Sequence, residues 1–203
     1  QKAEMARQTA IHLNGIRSIE GYLEIGGAGR YIKPISTIAD IKGPVYLISD
    51  EPIDGSPVRI LERGQIAKYN TKKLTYLPSD FDHIPDNSLE LVTIFIGLHH
   101  CPVNQLDEFM ETLTKKLKSG GHLILRDHNV ETDLMHTFVA IAHDIYNAGT
   151  GAPWEINEQE LRNFTSIKVW KERFQKYGYI DSEVYLLQDN DPTDNTLMHF
   201  IRQ

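Results

Sequence analysis

The chain has 203 residues, 40% hydrophobic and 24% charged, with a formal net charge of −7, enough for one domain with a sizeable core. The acidic balance argues against a broad nucleic-acid surface, which needs clustered Lys and Arg, and leaves only a local basic groove open. The lone Cys101 excludes a disulfide framework or a cysteine-rich zinc site within one chain and points to a reducing, cytoplasmic setting, and no apolar run or leader suggests a membrane role.

In chain order, a helix is predicted over residues 4–14 and a first strand over 21–25. A glycine turn, Gly26-Gly27-Ala28-Gly29, follows it. The second strand is 45–49, with Pro44 at its start, where a missing N–H does little harm. Residues 74–77 form a short third strand. Residues 91–96 are continuously apolar, as in a central strand buried on both faces. Leu106, Phe109, Met110, Leu113 and Leu117 fall at helical spacing, with Asp107, Glu108, Lys115 and Lys116 opposite. Ser119-Gly120-Gly121 is expected to stop that helix, and 122–125 is the fifth strand.

Beyond it, Leu134, Met135, Phe138, Val139, Ile141, Ala142 and Ile145 make a broad apolar helix face, expected first of all as core. A loop over 149–154 follows, then a helix start with Asn157 as N-cap and Glu160 three residues on. Trp170 and Phe174 read as core. Residues 183–187 and 197–201 are strand-like, with too short a link for a crossover, so they form an antiparallel hairpin. The fold class is α/β: a doubly wound, mostly parallel seven-stranded sheet ending in an antiparallel C-terminal hairpin. Residues 1–203 form a single domain, with 132–165 as its substrate-facing helix and loop. Gln1 stands where Met would begin a chain, which leaves open a domain cut from a longer protein.

Three acids close successive apolar runs: Glu24, Asp50 with Glu51 beside it, and Asp80. Acidic strand ends around a glycine turn suit a nucleoside cofactor carrying positive charge, which points to S-adenosylmethionine (SAM). Glycines let the backbone approach a ligand closely. The helix after the turn is expected to aim its N–H groups at a carboxylate.

Most of the chain, from Gly21 to about Ile201, resembles the class I SAM-dependent methyltransferases, specifically the compact branch called methyltransferase type 11. The motifs are Glu24-Ile25-Gly26-Gly27-Ala28-Gly29, Asp50, the run from Asp80 to Val92, Leu98-His99-His100, and Leu117-Lys118-Ser119-Gly120-Gly121. Ala28, Arg30, Glu90 and Ser119 depart from the usual residues. The resemblance implies a Rossmann-like methyltransferase fold and SAM as cofactor. It implies that Glu24 with Gly26, Gly27, Ala28 and Gly29 holds the methionine end. Asp50, with Glu51 as competitor, takes the ribose hydroxyls. Asp80 accepts from the adenine amino group, with Phe81 beside the ring.

Methyl transfer needs a base only where the acceptor loses a proton. Candidates at strand ends are His99 and His100 after strand four and Asp127 and His128 after strand five. His128, Asp127 and His100 are the expected catalytic set, and Arg126, Tyr146 and Trp154 the expected substrate contacts. Arg126 and Asp127 equally suit a plain ion pair. No metal is expected, because Asp127, His128 and Asn129 are neighbours on an extended segment and point to opposite faces. A small-molecule acceptor is slightly favoured. An RNA or protein acceptor stays open; RNA would need Arg30, Lys33, Arg126 and Arg162 to converge. Two further alternatives are a non-catalytic interaction module and an NAD or other nucleotide enzyme. The NAD fingerprint lacks its last glycine here and gives Asp80 no role.

Overall fold

The computed structural model describes residues 2–49, 57 and 69–203. Helix α1 (Lys2–His12) precedes strands β1 (Ser18–Ile19) and β2 (Tyr22–Ile25). The glycine turn leads into a five-residue helix, α2 (Ile32–Ser36), then β3 (Asp40–Ile41), β4 (Val45–Ser49) and β5 (Asn70–Lys73). A 3₁₀ turn (Pro78–Phe81), β6 (Leu89–Ile94), α3 (Val103–Lys116) and β7 (Leu117–His128) follow. The rest is α4 (Asp133–Gly149), α5 (Trp154–Gln159), α6 (Ile167–Lys176), β8 (Tyr179–Asp181), β9 (Leu186–Leu187) and β10 (Asn195–Arg202).

The main sheet runs β5-β4-β2-β6-β7-β10-β8, with β9 also on β10. Strands β5, β4, β2, β6 and β7 are mutually parallel, and β10 is antiparallel to its neighbours. Strand alternation sends successive residues to two cores. On one face Leu23, Ile25, Val92, Ile94, Leu123 and Leu125 meet Phe109 and Leu113 of α3 and Trp170 and Phe174 of α6. On the other, Tyr22, Leu47, Leu91, Ile124 and Leu197 meet Met5 of α1 and Ile32 and Ile35 of α2. The sheet is therefore doubly wound, as the alternation implied, and the C-terminal pairing of β9 with β10 is antiparallel as expected. The described strand count in this sheet is eight rather than seven. Its outer strand is broken at residues 182–185, where Glu183 takes φ 59°, and so counts twice as β8 and β9.

Two predicted boundaries move. The third strand is Asn70–Lys73, not 74–77. It is an exposed polar edge, and charge on an edge discourages pairing with another chain. Leu74 instead turns into the core, and Tyr76 (φ 61°) bends the chain away from the sheet. Helix α3 stops at Lys116 with Leu117 already extended, so Ser119-Gly120-Gly121 does not cap it. Those residues belong to a bulge: Leu89 pairs Leu117 and Leu91 pairs His122, so 118–121 lie opposite Glu90 alone. Gly120 takes φ 76° there, and the Lys118 ammonium bridges the bulge to Glu90 at 2.9 Å. No helix among the described residues is long and apolar enough to cross a membrane.

Candidate active site

Strand order reverses at β2, with β4 on one side and β6 on the other. In open α/β sheets the crevice outside such a strand end is where ligands bind. The glycine turn occupies this end. Glu24 is 1% exposed. It accepts from the Gly29 amide at 2.9 Å and the Tyr31 amide at 3.2 Å. Tyr22 donates to it at 3.4 Å and lies 2.8 Å from the Thr93 hydroxyl. Burial raises the Glu24 carboxyl to about 7, against the opposing pull of those two amides. A Cβ at Gly27 would lie 2.0 Å from the Glu24 carboxylate, so only glycine fits. Ala28 takes φ 50°, in the left-handed region where glycine is usual.

The expected anion-binding helix is the five-residue α2. Its N-cap, Tyr31, makes no side-chain cap bond, and Pro34, at its third position, offers no N–H. The amides of Gly29 and Tyr31 go to Glu24, so the carboxylate, rather than a helix dipole, organises this turn. A buried carboxyl at the strand-order reversal, beside the glycine turn, suits a cationic nucleoside such as SAM, whose charge would favour its ionised form.

Asp50 and Glu51, the expected ribose ligands, lie outside the described residues. Asp80 is buried and accepts from the Thr75 amide at 2.8 Å and its hydroxyl at 2.6 Å. Phe81 corrects the expectation: its ring is fully buried, 5.0 Å from Phe109. The 3₁₀ turn sends the adjacent side chains apart, so Phe81 is core and only its backbone remains for a ligand.

The C-terminal ends of β6 and β7 carry a cluster that adjacent-residue reasoning missed. Asp127 is 1% exposed and accepts four bonds. These come from the Leu98 amide at 2.8 Å, the His99 amide at 3.3 Å, the His128 amide at 2.8 Å and the His99 Nδ1 at 2.6 Å. Burial alone would raise this carboxyl, but His99 and His128 outweigh it and hold it low. Gly97 makes the approach possible: with φ 82°, a Cβ there would lie 2.5 Å from the His99 Nδ1. The His99 Nε2 is buried without a partner.

Three more imidazoles gather round it. His128 has its Nδ1 3.1 Å from the Thr193 carbonyl and its Nε2 3.3 Å from the His143 Nε2. His143, from α4, has its Nδ1 3.5 Å from Glu160. His100 has its Nδ1 3.1 Å from the Leu161 carbonyl. Burial, then the neighbouring His99, lower His100 and His128 to about 4. Phe164 packs among His99, His128 and His143 with ring centroids 4.9–5.6 Å apart.

His128, Asp127 and His100 are thus brought together, with Asp127 enclosed by its donors. The sequence signal for His99 was Gly97, a glycine two residues upstream. Arg126 does not pair with Asp127, because the two alternate faces; it donates to Gln188 at 2.7 Å. Arg162 binds Asp144 at 2.7 Å and Glu160 at 2.9 Å. Tyr146 and Trp154 are 70% and 60% exposed, on α4 and at the start of α5. The apolar face of α4 is also largely exposed, with Leu134 at 81% and only Val139 of the helix buried, contrary to its reading as core. Asn157 is not an N-cap. Pro153 holds that position, and Asn157 sits inside α5, where it accepts from Asn147 at 2.8 Å.

A methyltransferase-domain family model matches residues 53–125. No curated protein matches the chain in sequence. The solved YcgJ protein of Bacillus subtilis is similar at TM-score 0.64 and 15% identity, covering 98% of each chain. A SAM-dependent methyltransferase of Methanosarcina mazei is similar at 0.61 and 13%, covering 95% of this chain and 96% of that one. An O-methyltransferase family protein of Burkholderia thailandensis is similar at 0.64 and 12% over 99% of this chain, which spans only 57% of that protein. Over residues 53–125 the chain is thus similar to methyltransferase domains, and with its glycine turn at the strand-order reversal it shares the fold of these solved structures.

Proposed function

We propose that the chain transfers a methyl group from SAM to a small-molecule acceptor docked over the histidine-rich ends of β6 and β7. The observation that carries this reading is the buried Glu24 and its glycine turn at the strand-order reversal, with the imidazole cluster at neighbouring strand ends. Glu24 and Gly26 to Gly29 hold the methionine end, Asp50 with Glu51 the ribose, and Asp80 the adenine amino group. Bound SAM supplies a methyl on a good sulfonium leaving group. The protein's part is alignment, which is worth up to roughly 7–11 kcal/mol of barrier. Asp127 positions His99, and the imidazoles of His99, His100 and His128 are the groups able to take an acceptor proton. Tyr146 and Trp154 flank the approach from α4 and α5, with Arg126 on β7 as a further substrate contact.

Calorimetric titration with SAM, S-adenosylhomocysteine and NAD tests the cofactor. Micromolar binding of the first two and silence from NAD is the expected result; NAD binding alone, or none from a folded and ligand-free protein, rejects it. Asp50→Ala is expected to weaken SAM binding more than tenfold. Unchanged affinity would transfer the ribose role to Glu51.

A further inference from the structure

We propose that His99, His100 and His143, with His128 as a fourth, form a binding site for a divalent first-row transition metal, zinc fitting best. One ligand atom each from His99, His100 and His143 lie within 4.8 Å of one another. The fourth ring joins through the 3.3 Å approach of His128 Nε2 to His143 Nε2. Tetrahedral ligands at a zinc–nitrogen distance of about 2.0–2.1 Å stand about 3.3–3.4 Å apart, so this spacing is that of two ligands on one ion.

The tautomers point the same way. Carbonyl and carboxylate oxygens only accept, so an Nδ1 facing one carries the hydrogen. His99 faces Asp127, His100 the Leu161 carbonyl, His128 the Thr193 carbonyl and His143 Glu160. With the hydrogen on Nδ1, the nitrogen left to offer a lone pair to a cation is Nε2. Metal-bound histidines characteristically donate their other N–H to just such acceptors. The His128 and His143 lone pairs then face each other, which is unfavourable until a cation lies between them. The His99 Nε2 is the buried, unpartnered atom aimed into the same cluster. Imidazole is a ligand suited to zinc, copper, iron and nickel rather than to magnesium or calcium.

The four rings come from the loop after β6, the end of β7 and the middle of α4. The expectation of no metal rested on Asp127, His128 and Asn129 as adjacent ligands. Asp127 instead orients a ligand, and convergence comes from separate elements. The same Nε2 lone pairs that could take a proton would then hold an ion, beside the place proposed for the acceptor.

The test is direct metal titration of the chelator-stripped protein, without SAM. Zn²⁺ is measured by competition with a chromophoric chelator and Co²⁺ by visible absorption. One equivalent per chain is expected, with the intense bands of four-coordinate cobalt and a rise in melting temperature. His99→Gln and His143→Gln are each expected to weaken binding by about 100-fold, and His136→Gln, outside the four, to leave it unchanged. Failure of the folded wild-type protein to bind a stoichiometric ion overturns the proposal, whatever the variants do. Binding that survives His99→Gln and His143→Gln together overturns it as well. SAM affinity is read separately, so failure here leaves the methyl-transfer reading standing, and failure there leaves this site standing.

Discussion

Burial lifts the Glu24 carboxyl from 4.5 to about 7, and this couples folding to pH. Between those values the native carboxyl keeps its proton while the unfolded one has lost it. The unfolded state therefore binds fewer protons, and stability falls as pH rises through the window, levelling off above about 7. At about 1.4 kcal/mol per pH unit the window spans roughly 3 kcal/mol. Glu24→Gln mimics the protonated form and is expected to remove this contribution. Urea unfolding at pH 5 and pH 7.5 measures it, and identical pH slopes in variant and wild type would refute the assignment. Glu24 was legible because its motif is local: an acid, one apolar residue and a glycine turn in consecutive positions. The histidine cluster was not, because its members are up to 44 residues apart (His99 to His143) and only folding of β6, β7 and α4 joins them.

At the scale of elements, α4 differs most from its sequence pattern. Its apolar stripe predicts a buried face, yet Leu134 and Ile145 are 81% and 67% exposed, and the helix is held by the buried Val139, by His143 and by polar bonds from Ala140, Asp144 and Asn147 to Arg162 and Asn157. Periodicity reports that a face is apolar, not what covers it. Leu134→Gln with Ile145→Gln is accordingly expected to shift stability by less than about 0.5 kcal/mol. A loss of about 2 kcal/mol or more in thermal unfolding would mean these side chains are packed. The missed third strand has the opposite cause. The exposed Asn-Thr-Lys-Lys run of β5 carries no alternation to detect, whereas the buried apolar runs of β4 and β6 were placed to within two residues at each end.

For the whole molecule, the doubly wound order followed from alternating elements, and the antiparallel finish from the short link before β10. What the pattern did not reveal is where β10 lies: between β7 and β8, hydrogen-bonded on both sides, with residues 195–200 buried. A chain stopped after Asp194 thus loses an inner strand instead of a fraying end. It is expected to be insoluble or to bind a dye for exposed apolar surface, and a soluble, cooperatively melting product would count against this placement. The arrangement also orders events in time. Strand β2 waits for β6, which begins 64 residues after β2 ends (Ile25 to Leu89), and β8 waits for β10. Assembly of such distant pairs is slow. During synthesis the long β7 edge therefore stays open until nearly the last residues emerge, so a stalled ribosome would present that edge to other chains rather than a half-finished but closed domain.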